Sequence, residues 1–236
     1  MLLKDKMKNG QLYREFGHEN IEDQEYEKEI ERQRLNCKAR MFEYNHCHPD
    51  NKKEKQDILR GLLGHAGENI WIEAPAYFAY GCNTYIGENF YANFNLVVVD
   101  DIEVHIGNNV MVAPNVTLSV TGHPVDPEYR RGGTQFSLPI VIGDDVWIGA
   151  NSVILPGVTI GDNSVIGAGS VVTQDIPANS VAYGVPCRVI REINDYDKEY
   201  YRKGKKVNLD WQKPMPSLKG YILYNKVRCL NGSASR

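Results

Sequence analysis

Along the C-terminal half of the chain an aliphatic residue recurs at every sixth position. Ile142, Ile148, Ile154, Ile160, Ile166 and Val172 follow one another without a gap. Glycine stands directly after four of them, at Gly143, Gly149, Gly161 and Gly167, and a small or β-branched residue recurs at Val146, Ser152, Val158, Ser164 and Ser170. Upstream, Ile106, Val112 and Leu118 keep the same phase, whereas Ile86 opens a similar unit two residues out of step, which marks a small insertion between coils. A period of six fits neither the 3.6 spacing of an amphipathic helix nor the alternation of an ordinary strand. It fits a short strand plus a tight turn, three of which bring the chain back to its starting edge. Successive coils then stack through parallel β hydrogen bonds, giving one solenoid from about 70 to 190. The aliphatic positions form an interior column, and burying each contributes roughly 1.5–3 kcal/mol. The pairs Asp-Asp, Ala-Asn, Pro-Gly, Asp-Asn and Ala-Gly between them are turn chemistry and fall at the corners.

One stretch breaks the pattern. Leu118 and Ile142 lie 24 positions apart, a multiple of six, but the sequence between them does not repeat and carries a Gly-Gly and an Arg-Arg pair. A loop extruded from one corner is predicted there, and long loops in compact folds are usually functional or disordered. Before the solenoid, the acidic stretch Glu15 to Arg34 reads as a solvated helix, and the segment from Lys53 to Gly67 as a second helix ended by glycine. Both are expected to cap the solenoid's open N-terminal edge. The chain therefore divides into a helical cap at 1–65, a solenoid at 66–191, and a helix or turn with a basic tail at 192–236.

Composition narrows the classes. A net charge of −3 gives no nucleic-acid signature. No apolar run is long enough to span a membrane, and the start lacks a signal-peptide core, so a cytoplasmic location is expected. Cys37, Cys47, Cys82, Cys187 and Cys229 are odd in number, scattered and without a C-x-x-C pair, and read as free thiols. Residues 205–236 carry seven basic residues against one acidic, which reads as a loosely ordered tail.

With the six-residue block in place, MFEYNHCHP, YFAYGCNTYIGENFYANFN, APNVTLSVTGHP, GVTIGDNSVIGAGSVV and GVPCRVIREIND together resemble the galactoside/maltose O-acetyltransferase family of hexapeptide-repeat transferases, from about 35 to 200. The resemblance implies a left-handed parallel β-helix and a homotrimer with active sites between subunits. It also implies acetyl-CoA as co-substrate in the groove between solenoids, a sugar hydroxyl as acceptor, and no metal.

Residue by residue, His123 matches the family's catalytic histidine, and an imidazole that titrates near neutrality suits a general base. Asn93 matches the active-site asparagine, at the acceptor sugar or the oxyanion. Glu15, Tyr91, Asp101, Ala79 and Gln135 match acceptor-contacting positions. Three of these depart from the family: Glu15 stands for Asp, Ala79 for the galactoside enzyme's Ser, and Gln135 for Met. About ten residues are also inserted after Glu15. Ala150, Ala168, Thr173, Gln174, Arg188 and Arg191 match CoA-binding positions. The two alanines would let the pantetheine arm lie close, the arginines would meet phosphates, and Gln174 replaces a lysine. The Ala150 backbone N–H matches the position facing the thioester carbonyl.

Other classes use the same solenoid. A γ-carbonic-anhydrase-like zinc enzyme would need three histidines. His105 and His123 stand one coil length apart, but His18, His46, His48 and His65 lie outside the coils, leaving no third ligand. An antibiotic O-acetyltransferase would share His123 and CoA, while a structural or binding solenoid would need neither.

Overall fold

The structure, a computed structural model, describes residues 1–208. From His65 onward the chain winds into a three-sided parallel β solenoid, the hexapeptide-repeat left-handed β-helix. One face stacks strands His65–Ala66, Thr84–Ile86, Val104–Ile106, Ile140–Ile142 and Thr159–Ile160. The second stacks Trp71–Ile72, Tyr91–Ala92, Met111–Val112, Trp147–Ile148, Val165–Ile166 and Ser180–Gly184. The third stacks Ala76–Phe78, Leu96–Val99, Thr117–Ser119, Val153–Ile154 and Val171–Val172.

The predicted column is the core: Ile142, Ile148, Ile154, Ile160, Ile166 and Val172 are all buried. The corners follow the turn residues closely. The second member of each pair, Asp145, Asn151, Gly157, Asn163 and Gly169, sits at positive φ, where glycine is unstrained and Asn or Asp is tolerated best. Ser152 and Ser170 are buried under these corners and donate to the carbonyls of Gly149 and Gly167. The same tight spacing explains Gly149, since a Cβ there would come within 2.5 Å of the Ala168 nitrogen on the next coil. Truncating a column residue opens a void between coils that cannot collapse. Ile154→Ala is expected to cost about 2–5 kcal/mol, read as a lower urea midpoint at unchanged slope. A loss under about 1 kcal/mol would mean that the column is not the core.

The open edge of the first coil is closed by side chains. Helices α1 (Leu3–Lys8), α2 (Ile21–His46) and α3 (Lys52–Leu62) precede it. From α2, Asn45 both accepts from the Ala76 N–H and donates to the Ala76 carbonyl, each at 2.9 Å, and Tyr44 donates to the Ile72 carbonyl. From α3, Gln56 donates to the Ile70 carbonyl at 2.7 Å. Strand groups that would otherwise recruit another chain are thereby satisfied.

The N-terminal helix differs from the expectation for Glu15–Arg34. Glu15 lies in a loop, because Gly17 at φ 91° interrupts the chain and Asn20 caps α2 by accepting from the Asp23 N–H. From there α2 runs 26 residues to His46, and it is not merely solvated: Ile30, Cys37, Met41 and Tyr44 are buried. Helix α1 was not anticipated by the repeat at all. Beyond the solenoid, strand Cys187–Glu192 folds back antiparallel on Ser180–Gly184, followed by a single helical turn at Asp195–Glu199 and the short hairpin strands Tyr200–Arg202 and Lys205–Lys206. The four cysteines among the described residues are free. The basic tail and Cys229 lie almost entirely outside the described residues. No helix among the described residues is long and apolar enough to cross a membrane.

The spacing irregularities share one location. Plain coils repeat every 18 residues, but the first coils repeat every 20 and the third pairs with the fourth across 36. In each case the additional residues emerge between the third face and the first, at 79–83, 100–103 and 120–139. Three successive coils therefore widen at one corner.

Candidate active site

That widened corner collects most of the polar residues singled out for the acceptor. Glu15 reaches it from the loop before α2 and accepts from Arg34 Nη2 at 2.6 Å and from the Tyr80 hydroxyl at 3.0 Å. Arg34 Nη2 also donates to the Tyr80 oxygen at 2.5 Å and lies 3.7 Å from Asp101 Oδ1. Asp101, 8% exposed, accepts from the Thr121 hydroxyl at 2.5 Å. Thr121 bonds Ser137, which bonds the Tyr13 hydroxyl, and Gln135 donates to that hydroxyl at 3.1 Å. Burial raises the Asp101 carboxyl above its ordinary range against the Thr121 hydrogen bond, with Glu15 adding repulsion and Arg34 opposing it. Two carboxylates thus face one site across a single guanidinium, an arrangement that offers acceptor oxygens to a polyhydroxyl ligand.

Asp100, beside it, is fully buried and points inward. Its Oδ1 accepts from the Tyr80 and Ala79 N–H groups at 2.8 and 3.1 Å, and Oδ2 from the Thr84 hydroxyl at 2.9 Å, so it pins the corner of one coil to the next. Burial pushes its pKa up to about 7, with Asp101 adding to the rise. A carboxyl raised this way holds more protons folded than unfolded between about pH 4 and 7, so stability falls as pH rises through that window. Asp100→Asn keeps an acceptor for both N–H groups and carries no charge. Its Tm is expected to vary less than wild type's between pH 5 and 8; parallel Tm-against-pH curves would refute this.

His123 opens the extruded loop. The loop is held as a short antiparallel pair, Thr121–Gly122 with Phe136–Ser137, and α4 (Pro127–Arg131) caps its tip. His123 Nδ1 lies 2.9 Å from the Thr134 carbonyl oxygen. A carbonyl can only accept, so this contact places the neutral ring's proton on Nδ1 and leaves the Nε2 lone pair free. The loop is tied to the acceptor cluster through Thr121 and through Gln135, whose backbone pairs with Tyr13.

The remaining residues lie elsewhere on the chain. Tyr91 is on the second face and Asn93 at the corner between the second and third, where Asn93 Oδ1 accepts from the Phe94 N–H. One chain therefore does not bring Asn93 or Tyr91 to His123. Ala150 and Ala168 occupy that same second corner on the fourth and fifth coils, joined by a 2.8 Å bond from the Gly169 N–H to the Ala150 carbonyl. Thr173 and Gln174 are exposed at the end of the fifth coil. Arg188 and Arg191 project from the antiparallel strand, but they differ. Arg188 donates to the Cys187 carbonyl, whereas Arg191 grips Asp197 with two 2.7 Å bonds and draws that carboxyl down to about 2. A phosphate at Arg191 would compete with Asp197. Contrary to the expectation, His65 lies within the first coil, on the same face as His105 but separated from it in the ladder by Tyr85. His105 is stacked on Tyr85 and bonded to Glu103, apart from the loop, and no group of three His, Cys, Asp or Glu among the described residues could hold a metal ion. Arg34, Tyr80, Asp100, Thr121, Tyr13 and Ser137 were not named from the sequence. Their contacts span separations as long as 124 residues, and no local spacing signals them.

Comparison with known proteins agrees with this architecture. Residues 6–67 match the family model for the maltose acetyltransferase hexapeptide capping motif, and residues 139–174 that for the bacterial transferase hexapeptide of six repeats. The chain is 62% identical to the galactoside O-acetyltransferase of Escherichia coli strain K12 over 174 residues, 74% of this chain and 86% of that protein. It is 45% identical to the Lactococcus lactis galactoside O-acetyltransferase over 171 residues, 72% of this chain and 83% of that one. A solved galactoside acetyltransferase in complex with coenzyme A superposes with a TM-score of 0.82 at 53% identity, covering 89% of this chain and all of the other. The repeat, the capping helices and the relatives converge on one conclusion: this chain belongs to the galactoside/maltose O-acetyltransferase family of hexapeptide-repeat acyltransferases.

Proposed function

We propose that the protein transfers an acetyl group from acetyl-CoA directly to a hydroxyl of a galactoside- or maltose-like sugar, with His123 as general base. The observation that carries the reading is the Nδ1 contact of His123 with the Thr134 carbonyl, which fixes the tautomer and presents Nε2 as a base. In the reaction Nε2 takes the acceptor's hydroxyl proton as its oxygen attacks the thioester carbonyl. The Ala150 N–H, on the same corner as Asn93 and so supplied by a neighbouring copy, stabilises the oxyanion, the C–S bond breaks, and the imidazolium returns the proton to the departing thiolate. His123 takes and returns the one proton that moves in this sequence.

Asp101 and Glu15 bind vicinal hydroxyls in this reading, with Ala79 and Gln135 shaping the pocket. Ala150, Ala168, Thr173, Gln174, Arg188 and Arg191 line the CoA groove. Asn93 and Tyr91 lie on a different corner from His123, so a site that uses all of them draws the second set from a neighbouring copy. This supports a homotrimer with active sites between subunits. The reaction would take place in the cytoplasm, where acetyl-CoA is supplied. The test is release of free thiol from acetyl-CoA across pyranosides, nucleosides and antibiotics. Galactosides or maltosides should react best, whereas reaction with an antibiotic alone would overturn the sugar assignment.

A further inference from the structure

A cavity of about 550 Å³ opens beside the acceptor cluster, between α1, the N-terminal part of α2 and the widened solenoid corner. Asp101 and Tyr80 belong to both, so the cavity continues from the acceptor cluster. Its wall also includes Tyr26, with Lys4 Nζ 5.7 Å from the ring centroid, Ile102, and the hydrogen-bonding groups of Gln33, Glu29 and Glu103. Its volume is within the range of small-ligand sites.

Sugar rings present both C–H faces and hydroxyls. A wall that mixes an aromatic ring and an aliphatic side chain with carboxylates and an amide matches that double character. Asp101 adds a carboxylate already more than nine-tenths buried and shared with the cluster around Glu15. An occupant touching Asp101 from this side is therefore adjacent to the sugar being acetylated. We infer that the cavity is a second glycosyl subsite, so that the preferred acceptor is a disaccharide or a longer glycoside rather than a single pyranose. This rests on the sugar acetyltransferase reading above.

Two variants probe the subsite without touching the residues assigned to chemistry. Among the described residues the Gln33 side chain bonds only Glu29, so Gln33→Trp inserts an indole into the cavity. Glu103 is exposed and paired with His105, so Glu103→Ala removes one wall carboxylate. Initial rates with acetyl-CoA are compared for methyl β-galactoside against lactose, and for methyl α-glucoside against maltose. In the wild type kcat/KM is expected to favour the disaccharide of at least one pair by about tenfold, the size of one or two well-formed hydrogen bonds. Gln33→Trp should abolish that advantage and Glu103→Ala reduce it several-fold, with the methyl glycosides changed less than about twofold. Equal kcat/KM for both members of each pair in the wild type would overturn the subsite while leaving sugar acetylation intact. So would a loss in Gln33→Trp that falls equally on monosaccharide and disaccharide. Failure of all four sugars would instead overturn the sugar reading, and the subsite with it.

Discussion

Alanine at position 123 should lower kcat by at least about 100-fold while the coil and its thermal unfolding stay unchanged. His123 is exposed, and among the described residues its side chain makes one polar contact, with the Thr134 carbonyl of its own loop. The Thr134 carbonyl loses this donor, but the adjacent strands Thr121–Gly122 and Phe136–Ser137 stay paired through backbone and keep the loop in place. The cost therefore falls on proton transfer, in the range general-base catalysis usually supplies. Loss of a base made only for the transition state lowers kcat and kcat/KM together. Steady-state kinetics with matched circular dichroism spectra reads both quantities. Turnover within about tenfold of wild type would remove this imidazole from the mechanism.

The second large effect falls on the acceptor. Asp101→Asn keeps the volume but replaces one acceptor oxygen by an amide and deletes the charge beside Arg34. Hydrogen bonds to charged groups contribute about 1.5–3 kcal/mol each, so losing one or two should cut kcat/KM for the sugar by about 10²-fold. The KM for acetyl-CoA should stay within about twofold, since of the positions assigned to CoA Ala150 and Ala168 lie at the second corner and Thr173 and Gln174 three coils further along Asp101's edge. If the KM for acetyl-CoA shifted as much as that for the sugar, Asp101 would act through the fold and not on the acceptor.

The solenoid was legible because its signal is local and repeated. Ile142 to Val172 mark the inward position of every strand, and the residue pairs between them mark each left-handed corner. The out-of-step Ile86 reported a real change, the 20-residue early coils. Less legible was anything made by chain segments meeting from far apart. The acidic stretch before Arg34 looked like uninterrupted helix, and only Gly17 with the Asn20 cap shows why Glu15 is released to meet Tyr80. His123 and Asp101 were singled out through motif resemblance. Arg34, which holds Glu15 and Tyr80 and lies near Asp101, had no motif to reveal it, because its role depends on partners on three different segments.

All the length variation of this solenoid leaves through one edge, above coils whose interior ladder stays in register. Residues can be gained or lost there without disturbing a single β bond of the other two edges, including the one that carries Ala150 and Ala168. Such a layout separates what can change from what must be kept: new acceptors can be accommodated by rebuilding one seam, while the wall assigned to the common acetyl donor is inherited intact.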